Sequence, residues 1–128
     1  MEFLNDYRIG VHPGHYTLGT SSCGLTFISG QLPIDWNGTG QLVTGGIEAQ
    51  TRQALENLKA ALASAGMDFT NVLKTTVLVS GVEYWPDVDR IYKEYFGPHK
   101  PSRTVIPTLP LHYGALVEIE AIAENKRG

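Results

Sequence analysis

The sequence is short of the residues that most often announce a chemistry. It has one cysteine, Cys23, so it builds neither an internal disulfide framework nor a Cys-x-x-Cys metal or redox motif. No apolar run approaches the roughly 20 residues that a membrane helix needs. Positive charge is scarce: ten Lys and Arg stand against thirteen Asp and Glu, a formal −3, the wrong sign for a general nucleic-acid binder. The opening Met1-Glu2-Phe3-Leu4-Asn5-Asp6 has neither the basic region nor the apolar stretch of a secretory signal. The four histidines do not make a metal site. His12 and His15 have no acidic or cysteine partner nearby, and His99 and His112 fall in unrelated loops. There is no Gly-x-Ser-x-Gly elbow and no phosphate-binding glycine pattern, so Gly45-Gly46 reads as a helix start. Cys23, in a Ser-Ser-Cys-Gly turn, has no adjacent base to activate it. These absences predict a soluble cytoplasmic protein with no metal.

What is present is the makeup of a folded chain. Apolar residues are 42% and charged residues 18% of 128, which supports a core without staples and argues against disorder. No repeat, linker or low-complexity tract occurs, so residues 1–128 read as one domain. The polar opening through Gly14 has no period, and His12-Pro13-Gly14 reads as loop. Strand composition begins near Tyr16 and is clearest over 25–30, after a turn at 21–24. Asp35-Trp36-Asn37-Gly38-Thr39-Gly40 is a second turn, with Asn37-Gly38 as a hairpin signal.

A helical stripe follows: Ile47, Thr51, Ala54, Leu55, Leu58, Ala61, Leu62 and Ala65, with Thr44 as the expected N-cap and Gly66 as the closing residue. Residues 72–79 are the β-branched and leucine run of a central strand. Trp85, Val88, Ile91, Tyr92, Tyr95 and Phe96 form the packing face of a second helix, with Pro86 in its first turn and Gly97-Pro98 at its end. A short strand over 102–106 stops before Pro107. Residues 115–123 alternate, with Ala115, Val117, Ile119, Ala121 and Ala123 on one face and Leu116, Glu118, Glu120 and Ile122 on the other. The order β-β-α-β-α-β-β predicts an α+β sandwich, a mixed sheet with two helices on one face. Its bare face would carry Thr76, Leu78, Leu116 and Ile122, too apolar to stay wet, so a homo-oligomer is expected to bury it.

Few residues are candidates for chemistry. Glu118 and Glu120 share a strand face with apolar neighbours. Each reads either as a solvated strand residue or as a carboxyl in a partly apolar pocket, its pKa raised toward neutrality. Arg103 lies in Lys100-Pro101-Ser102-Arg103-Thr104, where a stiff backbone suits a fixed guanidinium fork for a carboxylate, though a plain surface arginine fits as well.

Several segments, in order, resemble the RidA (YjgF) family of reactive-intermediate deaminases. They are Phe27-Ile28-Ser29-Gly30-Gln31-Leu32-Pro33-Ile34-Asp35, Gln50-Thr51-Arg52-Gln53-Ala54-Leu55-Glu56-Asn57-Leu58, Tyr92-Lys93-Glu94-Tyr95-Phe96-Gly97, Lys100-Pro101-Ser102-Arg103-Thr104, and Gly114-Ala115-Leu116-Val117-Glu118-Ile119-Glu120-Ala121. The similarity runs from about Gly14 to Ala123 almost without gaps. It implies a chorismate-mutase-like fold assembled as a homotrimer, with ligand clefts between subunits. It implies hydrolysis of enamines and imines to 2-oxo acids and ammonia, with no metal or cofactor. Carried over by position, it assigns Arg103 to the substrate carboxylate and Glu120 to the water. Tyr16, Ser29 and Gly30 line the cleft, and the backbone N–H of Val105 helps hold the carboxylate.

The chain also departs from the family pattern. Gly14-His15-Tyr16-Thr17-Leu18-Gly19 replaces the usual Gly-Pro-Tyr-Ser-Gln-Ala, and Asp89 stands near the ligand where many members carry Asn, a charge that would repel a carboxylate. Pro107 and Leu111-His112-Tyr113 alter the walls, and His112 and Tyr113 would reach the far end of a longer substrate, such as a 2-aminomuconate-like enamine. Two further readings compete: a non-catalytic module that binds small carboxylates, and RNA cleavage, which the acidic balance opposes.

Overall fold

Two crossovers of like kind decide the architecture. The computed structural model describes residues 1–9 and 14–125, so the loop reading of His12 and Pro13 lies outside the described residues. The strands are β1 (Glu2–Phe3), β2 (Gly19–Ser22), β3 (Leu25–Gln31), β4 (Val72–Val79), β5 (Ser102–Pro107) and β6 (Val117–Glu124), and the helices are α1 (Gly46–Ser64) and α2 (Trp85–Phe96). The sheet runs β1-β2-β3-β6-β4-β5, with β4 and β5 parallel and the other neighbouring pairs antiparallel. α1 carries the chain from β3 to β4 and α2 from β4 to β5, both stepping the same way across the sheet. Crossovers share one hand, so both helices fall on one face. This is the expected α+β mixed sheet. α1 packs on β3, β6 and α2.

The core lies between sheet and helices. Leu55, Leu58, Leu62, Val77, Val88, Ile91, Val117 and Ile119 are fully buried, each stabilising the fold by roughly 1.5–3 kcal/mol. The alternation over 117–123 holds: Val117, Ile119, Ala121 and Ala123 enter the core while Glu118, Glu120 and Ile122 face away. The strand begins at Val117, so Ala115 and Leu116 precede it, and the Leu116 N–H is taken by Gln50 Oε1 of α1 at 2.8 Å.

Local details correct several expectations. Thr44 is not the cap of α1; Gly45 holds that place at φ 111°, with no side-chain cap. Gly66, at φ 70°, does close the helix: its N–H reaches Ala63 O and the Met67 N–H reaches Leu62 O, while Ala65 is exposed rather than part of the stripe. The first hairpin turns on Cys23 and Gly24, both at positive φ, so Ser21 and Ser22 belong to β2 and the strand starts at Gly19, not Tyr16. Asn37-Gly38 makes no two-residue hairpin. Only Ile34 and Leu42 pair across that loop, and the side chain of Asn37 instead grips the backbone of Tyr7 and Ile9. β1 went unseen because two residues carry no period. Among the described residues no helix is long and apolar enough to cross a membrane.

One polar residue inside the apolar stripe of α1 has a structural task. Asn57 is buried, and its Nδ2 donates to Leu32 O and Ile34 O, both at 2.9 Å, fixing the segment that leaves β3. Asn57→Ala leaves two carbonyls without their donor, so we expect a loss of about 1–3 kcal/mol in urea unfolding. A loss below about 0.3 kcal/mol would mean that water replaces the amide.

Candidate active site

The bare face of the sheet builds a pocket around an irregularity in β3. Ile28 pairs with Ala121 and Gln31 with Ile119, which leaves Ser29 and Gly30 together opposite Glu120. Such a bulge re-aims side chains at a sheet surface. Ser29 spends its hydroxyl and its N–H on Thr17 O and Leu18 O, tying the approach from Tyr16 to β3. Gly30 makes room: a Cβ there would lie 2.5 Å from Glu118 Oε2, so the carboxyl of Glu118 rests against the Gly30 backbone. The resulting pocket, about 570 Å³, is lined by Tyr16, Ser29, Gly30, Trp36, His112, Tyr113, Glu118 and Glu120, among others. Seven of the residues singled out from the sequence, Tyr16, Ser29, Gly30, His112, Tyr113, Glu118 and Glu120, are thereby brought together.

The carboxyl tuned by its surroundings is that of Glu118. Burial raises its pKa first, the like charge of Glu120 raises it further, and His112 opposes both in part. Glu120 is more exposed and sits across from Thr76. The sequence left the two glutamates equivalent in environment; the bulge distinguishes them, because only Glu118 has a glycine to lean on. Trp36, in the sequence a turn residue, also lines the pocket. Its signal was an aromatic side chain a few positions beyond the strand end at Ser29-Gly30.

Arg103 and Asp89 are elsewhere. Arg103 pairs in register with Thr75, which is buried on the helix side and bonded to Tyr92 Oη at 2.8 Å. The guanidinium therefore turns toward α2, 4.5 Å from the Trp85 ring centroid and 5.1 Å from that of Tyr92. Its Nη1 donates to Asp89 Oδ1 at 2.9 Å, and Lys93 Nζ lies 3.2 Å from the other Asp89 oxygen. Burial pushes the Asp89 carboxyl up, but hydrogen bonds from Arg103 and Lys93, with their charges, outweigh it and hold the carboxyl below its ordinary range. Asp89 is thus a partner of Arg103, and its charge is already balanced. These residues edge a second depression of about 450 Å³, with His99 and Lys100. Val105, opposite Val77, packs its side chain against the core from the edge strand. Within one chain the guanidinium and the carboxyls occupy different faces of the sheet. Among the described residues no group of three or more His, Cys, Asp and Glu could hold a metal ion.

A family model described as Endoribonuclease L-PSP matches residues 11–125. A RutC family protein of Pyrococcus horikoshii is 42% identical over 110 residues, 86% of each chain. The human 2-iminobutanoate/2-iminopropanoate deaminase is 44% identical over 97 residues, 76% of this chain and 70% of the human one. Among solved structures, E. coli TdcF with bound serine superposes with a TM-score of 0.89 at 28% identity, covering 98% of this chain and 100% of that one.

The raised Glu118 carboxyl gives stability a pH signature. The folded chain holds this proton more tightly than the unfolded chain, so Glu118 stabilises below its ordinary pKa and loses that contribution as pH rises through the raised value. Glu118→Gln should therefore gain stability over wild type as pH rises from the ordinary carboxyl pKa of about 4 through the raised one, then run parallel to it. Thermal melts across that range check this; an offset independent of pH would contradict the assignment.

Proposed function

The chain belongs to the Endoribonuclease L-PSP family, the family of the RidA/YjgF motifs, and on that premise we propose that it hydrolyses imines and enamines of small amino acids to 2-oxo acids and ammonia. The observation that carries the reading is the half-buried Glu118 carboxyl, its pKa raised, lying against the Gly30 backbone in the pocket. A carboxyl with a raised pKa is the stronger base once ionised and can return the proton that it takes.

The atoms balance through water. An enamine first takes a proton from Glu118 at its terminal carbon and becomes the iminium ion. Glu118, now a carboxylate, draws a proton from water as the water oxygen bonds to the imine carbon and the C=N electron pair returns to nitrogen. That proton passes to the amine, the C–N bond breaks, ammonia leaves, and the hydroxyl proton returns to Glu118 as the 2-oxo acid forms. We thus assign proton transfer to Glu118 and give Glu120, to which the motif resemblance gave the water, the role of the like charge that keeps Glu118 weakly acidic. Tyr16, Ser29, Gly30 and His112 shape the cleft, and the Val105 N–H assists the carboxylate. The reaction consumes only water, and a single cysteine suits the reducing cytoplasm.

Arg103 is the group for the substrate carboxylate, since its stacked and tethered guanidinium is held rigid for a bidentate grip. Because it faces the opposite side of the sheet from Glu118, the complete site takes Arg103 from a second copy. The half-apolar bare face, with Phe27 and Ile106 each 42% exposed, supports a homotrimer in which such clefts form between copies.

The test generates the imine in place with an amino-acid oxidase or threonine dehydratase, traps the excess with semicarbazide, and follows 2-oxo-acid release. Wild type should accelerate release. Glu118→Gln should lose about 10²–10⁴-fold in turnover while keeping 2-oxo-acid binding, and Arg103→Ala should lose the binding. Unfolding and refolding the two variants together should restore activity to about one quarter of the clefts of a trimer. Binding without turnover by wild type would favour a carboxylate-binding module, and equal losses in Glu120→Gln and Glu118→Gln would remove the distinction drawn between them.

A further inference from the structure

The N-terminal segment lies behind two residues of the pocket wall, Tyr16 and Trp36, and the reaction scheme does not use it. The Leu4 N–H bonds to Gly19 O at 3.0 Å, extending β1. Farther on, the Asn37 amide takes the Ile9 N–H at 2.7 Å and donates to Tyr7 O at 3.1 Å. Between these anchors Arg8 turns inward, its side chain only 2% exposed. Nε and Nη2 bond to Asp6 Oδ1 and Oδ2 at 2.9 and 2.7 Å, a two-pronged grip, and Nη1 donates to Tyr16 Oη at 2.8 Å. The guanidinium carbon also lies 5.2 Å from the Tyr16 ring centroid and 5.0 Å from that of Trp36. One buried cation thus holds the two rings that line the pocket on this side. The His112 and Tyr113 rings, 3.8 Å apart, line it as well. Asp6 and Arg8 precede residue 11, where the family match starts.

We propose that Arg8, fixed by Asp6, is a positioning residue for an aromatic wall of Tyr16 and Trp36, and that this wall makes the pocket select imines carrying a flat, π-rich side chain over those carrying a methyl group. The selection rests on the hydrolase reading above; the wall itself does not. Rings held in place by a charge-assisted grip lose little freedom when a planar group stacks on them, so the contact energy is retained in binding. Without Arg8 the same rings are present but must be ordered by the ligand. The effect belongs in binding, since Arg8 touches none of the reacting atoms.

The experiment compares wild type, Arg8→Met, Arg8→Lys and Trp36→Leu. It measures kcat and KM for the imines that an amino-acid oxidase makes from phenylalanine and from alanine, and Kd for phenylpyruvate and pyruvate by calorimetry. Wild type should prefer the aromatic member of each pair. Arg8→Met and Trp36→Leu should cut that preference about 3- to 10-fold, through KM and Kd rather than kcat, and Arg8→Lys should recover part of it. The near-ultraviolet dichroism that Trp36→Leu removes should also be lost in Arg8→Met. Equal effects on both members of a pair, or a wild-type preference for the alanine product, would overturn the proposal. If no imine is hydrolysed, the function fails while the two Kd values still decide the wall. Should Arg8→Met not fold, Arg8→Lys and Trp36→Leu decide by the same ratios.

Discussion

Placing both helices on one face of the sheet is the constraint from which the rest follows. Two crossovers that step the same way have no other low-energy arrangement, so β3, β6 and β4 bury their inward residues under α1 and α2 and present the alternate set outward. The outward rows are neither wholly polar nor wholly apolar. They set Phe27 beside Ile122, Thr76 beside Glu120 and Leu78 beside Glu118. The pocket with the two glutamates opens on that face.

The same parity separates the charges. Adjacent residues on a strand point to opposite faces, so Arg103, in register with Thr75, is committed to the helix side as firmly as Glu120, in register with Thr76, is committed to the other. Each half is stabilised in its own way. The guanidinium is packed on Trp85 and Tyr92 and neutralised by Asp89; the Glu118 carboxyl is denied full solvation and set beside a like charge.

Much of this was legible in the residues. The stripe of α1, the run of β4 and the alternation of β6 are periodic signals long enough to specify type and face, and the resemblance singled out Tyr16, Ser29, Gly30 and Glu120, which line one pocket, and Arg103, which lies on the other side of the sheet. Short or tertiary features were not legible. β1 has two residues and no period. Asn37-Gly38 has the composition of a hairpin turn, yet the Asn37 amide gains more by binding the backbone of Tyr7 and Ile9 than by turning the chain. Asp89 read as a repulsive charge beside the ligand because its hydrogen bond to Arg103, fourteen residues away, has no sequence signature.

The sequence by itself determined which of the longer segments become strands and helices, which side of each enters the core, and the family to which those motifs belong, because these depend on periodicity and on local residue chemistry. Only the tertiary structure decided which glutamate is tuned, that Arg103 and Glu118 face opposite ways, and that Arg8 stands behind Tyr16 and Trp36. Each of these depends on a register, a bulge or a contact between distant segments, and the burial that shifts a pKa or orders a ring exists only once those segments have packed.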